Sequence, residues 1–77
     1  MDKHSPKAAL ARAIERIGGA SATGRALNIT PQAVGQWARA PAERTLEIER
    51  LSGVSRHELR PDLYPVEQAR AASLLKP

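Results

Sequence analysis

Apolar residues recur at helical spacing in the first third of the chain: Leu10, Ala13, Ile14 and Ile17 fall on one face. Ser5-Pro6 stands before them as an N-cap with proline at the first helical position, and Gly18-Gly19 ends the run. The pattern predicts a first helix over 6–17, with Arg12, Glu15 and Arg16 on its solvent side. Residues 20–28 are small and polar around one large apolar residue, Leu27, and Asn28 suits a left-handed helix end. A second helix is expected over 21–27. Thr30-Pro31 repeats the cap-and-proline signal and opens a third, over 31–38. Ala40-Pro41 breaks the chain, and a fourth helix runs from Pro41 to Ser52 before Gly53. Ser55-Arg56-His57-Glu58 has capping-box spacing and opens a short fifth helix that Pro61 stops. From Pro65-Val66-Glu67 to about Leu75 the pattern is weak; residues 66–77 read as a tail, helical or disordered. No strand pattern or repeat interrupts this order. The expected fold is all-α, a compact bundle of about five short helices over residues 1–65, with residues 1–5 flexible.

The turn between the second and third helices is only Asn28-Ile29-Thr30, and so tight a turn makes two helices cross at a large angle. This helix-turn-helix arrangement makes demands position by position. Gly24 supplies the tiny residue where the helices meet, Leu27 closes helix 2, Asn28 makes the turn and Ile29 follows as a buried link. Val34 and Trp37 lie three apart and face the core. Thr23 is the mild departure, since an aliphatic residue would suit that position better. The expected core is completed by Leu10, Ile14, Ile17, Leu46 and Leu51.

At 100° per residue, Gln32, Gly35, Gln36 and Arg39 share the opposite arc of helix 3. A glutamine amide donates and accepts at once, which matches adenine in the major groove, and arginine suits guanine or phosphate. Gly35 has two readings. It admits close approach of a base or sugar edge, or it relieves packing or is simply tolerated, at a cost of about 1 kcal/mol against alanine. Arg25 reads as a phosphate contact or a solvated charge. Thr30 is an N-cap whose hydroxyl can also meet phosphate. Arg44 either pairs with a carboxylate or holds a phosphate. Helix 4 spreads Ala42, Thr45, Leu46, Ile48 and Leu51 over a wide arc, so it is covered on several sides or meets a second subunit on one flank.

Charge sharpens this picture. The 77 residues carry 12 cations and 8 acids, a net +4. Residues 1–42 hold six cations against two acids, residues 43–77 six of each, and no acid occurs from Arg16 through Ala42. Such an acid-free basic stretch suits an anionic partner, although +4 is also an ordinary solubility charge. There is no cysteine, which excludes disulfides and thiolate zinc sites and fits a reducing cytoplasm. His4 and His57 lack metal-ligand spacing, so no metal and no cofactor are expected. A chain this short buries only about 60% of its unfolded surface and leaves little room for a catalytic cleft; no enzyme is expected. Met1-Asp2-Lys3-His4 leads into no apolar run, and no stretch is long enough to span a membrane.

The stretch from about Ala8 to Pro65 resembles the small Cro/CI-type helix-turn-helix regulators of phages and prophages, closest to the Cro-like proteins of the YdaS antitoxin group. The resemblance rests on Gly18-Gly19-Ala20-Ser21-Ala22, Arg25-Ala26-Leu27-Asn28-Ile29-Thr30, Gln32-Ala33-Val34-Gly35-Gln36-Trp37, Pro41-Ala42-Glu43-Arg44, Ile48-Glu49 and Gly53-Val54-Ser55. It is strongest in Glu58-Leu59-Arg60-Pro61-Asp62-Leu63-Tyr64-Pro65. It implies a lambda-repressor-like domain that binds duplex DNA sequence-specifically, usually as a homodimer on a short pseudo-palindromic operator, with repression as the outcome. Residue by residue, Ala20 and Ser21 would meet phosphate, and Thr30, Pro31, Gln32, Ala33 and Gln36 would read the major groove. Two departures stand out. Only Ala38-Arg39-Ala40 separate Trp37 from Pro41, where relatives have a longer and often basic loop. Ala20 also replaces a frequent glutamine. The base-contact set is therefore Gln32, Ala33, Gly35 and Gln36, and the phosphate set Ser21, Arg25, Thr30, Arg39 and Arg44. The alternative is an antitoxin-type interaction module whose main ligand is a protein partner such as a toxin. Tyr64 with Leu63 would pack on the domain or on such a partner.

Overall fold

A computed structural model of the chain describes residues 5–65. The tail assigned to residues 66–77 and the leading residues 1–4 lie outside them. Five α-helices follow in order: α1 Pro6–Ile17, α2 Ala20–Leu27, α3 Pro31–Gly35, α4 Thr45–Ser52 and α5 Arg56–Leu59, with a 3₁₀ turn at Ala42–Arg44 leading into α4. The described residues form an all-helical bundle, as the patterning predicts. Ser5 belongs to the fold and not to a flexible leader: its hydroxyl accepts the Ala8 N–H at 3.1 Å and caps α1.

α1 is the central element and packs on α2, α4 and α5. Its buried face is Ala9, Leu10 and Ala13, and the two alanines have no exposed surface. Small side chains here let α4 and α5 come close, and Ile48, Val54 and Leu59 fill the space they leave. Leu27 joins this cluster from α2, and Ala40 from the loop before α4. Ile14, Ile29, Trp37 and Leu51 are half-buried against it, and Ile17 is half-buried at the end of α1.

Three expectations need correction. Leu46 is not core: it is 47% exposed, on the open flank of α4, while Ile48 is the residue of that helix driven fully inside. The wide apolar arc of the fourth helix therefore contains two exposed residues, Ala42 and Leu46, of which only Leu46 is large. The first turn of that helix is a 3₁₀ turn, because Pro41 remains extended and Arg44 N–H bonds back to the Pro41 carbonyl. The third helix ends at Gly35 and not at residue 38. Gln36 N–H is shared between the Gln32 and Ala33 carbonyls, and Trp37 N–H reaches Val34, an i to i−3 bond that tightens and closes the helix. Glycine favours a helix weakly, and residues 38–40 must deliver Ala40 into the core just before Pro41, which disfavours helical backbone at the preceding residue.

Candidate nucleic-acid interface

The α2–α3 unit is assembled around Gly24. A Cβ built there would lie 2.6 Å from the Ile29 carbonyl oxygen and 3.3 Å from Pro31 N. Those atoms are backbone and have little freedom to yield, so only glycine allows the turn to close on α2 at this distance. Ile29 N–H donates to the Gly24 carbonyl at 2.8 Å across the same contact. Asn28 takes the left-handed conformation, φ 61° and ψ 45°, the one non-glycine residue among those described with positive φ. Thr23, the departure from an aliphatic pattern, is fully buried, and its hydroxyl donates to the Gly19 carbonyl at 2.8 Å. The buried polar atom is thereby satisfied and the methyl group packs.

α3 leaves this turn with Thr30 as its cap, the hydroxyl accepting the Ala33 N–H at 3.1 Å. Val34 is buried and holds the helix down. Gln32, Gly35 and Gln36 are all exposed, so the structure keeps these three together on the open side. Ala33 is half-buried and contributes at most a methyl edge to that face. Trp37 lies half-buried against the core, as the inner arc predicts. Beyond its own helix and chain neighbours, a Cβ at Gly35 would meet no atom of the described residues within 4 Å, and its φ is not positive. Relief of packing is therefore excluded, which leaves close approach of a ligand or simple toleration.

The five expected phosphate contacts separate into two groups. Ser21, Arg25 and Thr30 are exposed, and Arg25 has no ion-pair partner among the described residues. Arg39 does not share the α3 face, because the helix has ended before it. It is exposed, and its guanidinium lies 3.8 Å from Asp62. Arg44 is committed within the fold: it donates to the Leu27 carbonyl at 3.3 Å, at the end of α2, and pairs with Glu47 at 3.5 Å. Of its two readings, the structural pair is the one observed.

The C-terminal part of the domain is cross-braced. Glu49 accepts both the backbone N–H and the Nε–H of Arg56, at 2.7 and 2.9 Å, so α5 is capped from a neighbouring helix. Partial burial would raise the Glu49 carboxyl, but these two bonds and the Arg56 charge together hold it below its ordinary value. The capping box read at Ser55 is only half formed. The Ser55 hydroxyl accepts the His57 N–H, whereas the Glu58 carboxylate turns to Arg12 at 3.1 Å. His57 Nδ1 is 2.8 Å from the Tyr64 carbonyl, and since a carbonyl only accepts, Nδ1 carries the hydrogen. Tyr64 packs edge-on to His57 and under the Arg56 guanidinium, back on the domain, which is one of the two placements expected for the pair, while Leu63 is exposed. Arg60 donates to both Asp62 oxygens, at 3.0 and 2.8 Å, and holds that carboxyl down to about 2. Sequence reasoning missed the Arg60–Asp62 fork; the signal was the Arg-Pro-Asp spacing, in which proline stiffens the turn that folds one side chain onto the other.

Among the described residues no group of three or more His, Asp or Glu could hold a metal ion, and no helix is long and apolar enough to cross a membrane. The family model described as bacterial toxin YdaS matches residues 10–68. It falls on the group to which the sequence resemblance pointed, although its description names a toxin where the resemblance implied an antitoxin. No curated protein and no solved structure matches the chain.

Proposed function

The chain belongs to the bacterial toxin YdaS family, and from that premise we propose that it is a Cro-like, sequence-specific binder of duplex DNA that regulates transcription, most simply as a repressor. The observation that carries this reading is the open face of α3. Two glutamine amides four residues apart flank a glycine that the fold itself does not require. An exposed glycine with free space around it has a use where a ligand comes closer than a side chain permits. A base edge or sugar in the major groove is such a ligand, and the glutamines supply paired donors and acceptors beside it. Arg25 and the acid-free stretch around it supply charge for phosphate. One short helix reads few base pairs, so two subunits are expected on half-sites about one turn, ~34 Å, apart. Catalysis, a metal and a cofactor have no part in this function, and the protein would act on DNA in the cytoplasm.

The test is titration of duplex DNA with the protein at two salt concentrations. Binding should fall steeply with salt, and Gln32→Ala or Gln36→Ala should each cost about 1–3 kcal/mol and relax preference at one base. Absence of duplex binding at low salt would refute the reading. A second reading, a module whose main ligand is a protein such as a partner toxin, is favoured by Leu46 and Leu63, the two exposed large apolar residues of the described chain. Stoichiometric capture of a protein, with duplex binding weak at any salt, would select it.

A further inference from the structure

The interface above makes no use of the Arg60-Pro61-Asp62 segment, although its side chains are tied into the fold. Arg60 has a side chain only 9% exposed. Its Nη1 donates to the Ala40 carbonyl at 2.9 Å, while Nε and Nη2 fork onto Oδ1 and Oδ2 of Asp62. Ala40 follows Arg39 directly. One buried guanidinium therefore fixes two things at once: the backbone beside Arg39 and the carboxylate that faces it. Because the guanidinium is planar and rigid, Asp62 is held in place before any partner arrives. Glu43 adds an acidic field on Arg60 but makes no ion pair among the described residues.

Arg39 is held differently. Its side chain is 56% exposed, and its single contact with Asp62 is long, 3.8 Å, with no hydrogen bond behind it. Exposed pairs of this kind open easily. A DNA phosphate offers the same guanidinium an anion of similar shape. Arg39 is also the one cation of residues 17–42 that an acid of the described chain engages.

The geometry points to Asp62 as an internal competitor for phosphate at Arg39, a specificity-determining residue that restrains binding to arbitrary duplex; this rests on the DNA-binding reading above. In the free protein Asp62 occupies Arg39. Close docking on DNA brings a phosphate that displaces it. Loosely held, non-specific complexes, which depend on phosphate neutralisation alone, gain one cation fewer than the surface carries.

The probe is a short duplex of random sequence, titrated over a range of salt with the unmodified protein, Asp62→Asn, Arg39→Gln and the double variant. Glu15→Gln serves as a charge-matched control, since Glu15 is exposed and makes no ion pair among the described residues. Asp62→Asn should bind about three- to tenfold tighter at low salt, with a log–log salt slope steeper by about one unit. The gain should exceed that of Glu15→Gln and should largely vanish in the Arg39→Gln background. A gain equal to that of Glu15→Gln, or one that persists without Arg39, overturns the proposal. Asparagine keeps one acceptor for Arg60, but the unmodified protein gives a readout that needs no substitution. On titration with duplex the Arg39 Nε–H resonance should shift while that of Arg60 stays. An unmoved Arg39 resonance, with α3 amides responding, also overturns it. Should the unmodified protein fail to bind any duplex, the DNA-binding reading falls first and takes this proposal with it.

Discussion

The α2–α3 unit and the α4–α5 unit of this small domain are held together in different ways. Residues 20–37 form no ion pair with any of the described residues; the helices are fastened by Gly24 against the Ile29 carbonyl, by the left-handed Asn28 and by buried Val34 and Leu27. From Arg44 to Asp62 every element is laced by ion pairs: Arg44 and Arg50 with Glu47, Arg56 with Glu49, Arg60 with Asp62. One unit spends no charge on its own folding and presents Arg25 uncommitted. The other neutralises itself. An even distribution of the same net charge would attract an anion nowhere in particular; segregation gives the charge a direction.

This contrast can be broken first at Gly24. Gly24→Ala places a methyl group 2.6 Å from a backbone oxygen, so the turn must shift. We expect a loss of about 2 kcal/mol or more, seen as a melting temperature lower by roughly 10 °C. An unchanged melting temperature would mean that the close approach does not fasten the unit. Acid tests the laced half. Arg60 holds the Asp62 carboxyl at about 2, below its ordinary 3.8. A depressed carboxyl contributes stability that is complete above its unfolded value and is lost as pH falls through the folded one. Melting temperatures measured from pH 5 to pH 2 should therefore fall more for the unmodified protein than for Asp62→Asn, and parallel curves would remove the Arg60–Asp62 fork from the account. Glu49 titrates in the same direction in both proteins and cancels in the difference. The smallest effect sharpens the comparison at Gly35. Gly35→Ala should raise stability by a few tenths to about 1 kcal/mol, because alanine favours helix and meets no atom there. The same change should weaken duplex binding. Gains in both properties would mean that no ligand approaches this position.

The residues that make the helix-turn-helix were readable because each answers a local demand. A three-residue turn needs Gly24, Asn28 and Ile29 where they stand, and cap-plus-proline signals mark the starts of α1 and α3. What was not readable depends on contacts distant in sequence. Leu46 and Ile48 are equally apolar but lie on nearly opposite sides of the helix, and only the packing of α4 on α1 decides which one is covered. The acid that caps α5 is Glu49, seven residues before Arg56, so the local Ser55–Glu58 spacing pointed to the wrong carboxylate. The early end of α3 follows from burial of Ala40, which takes Arg39 off the recognition face and places it before Asp62. Of the candidate site, Gln32, Gly35, Gln36 and Arg25 were legible as exposed positions, whereas the roles of Arg39 and Arg44 depend on partners 23 and 17 residues away in the chain.

Selection of bound duplexes from a random pool, repeated at two salt concentrations, shows whether the α3 face reads bases. A pseudo-palindrome with half-sites about one helical turn apart should be recovered, with an affinity that drops steeply as salt rises. A pool that stays random, whatever its salt dependence, would contradict it: the α3 face would then read no bases, and the domain would be at most a basic surface or a scaffold for a protein partner.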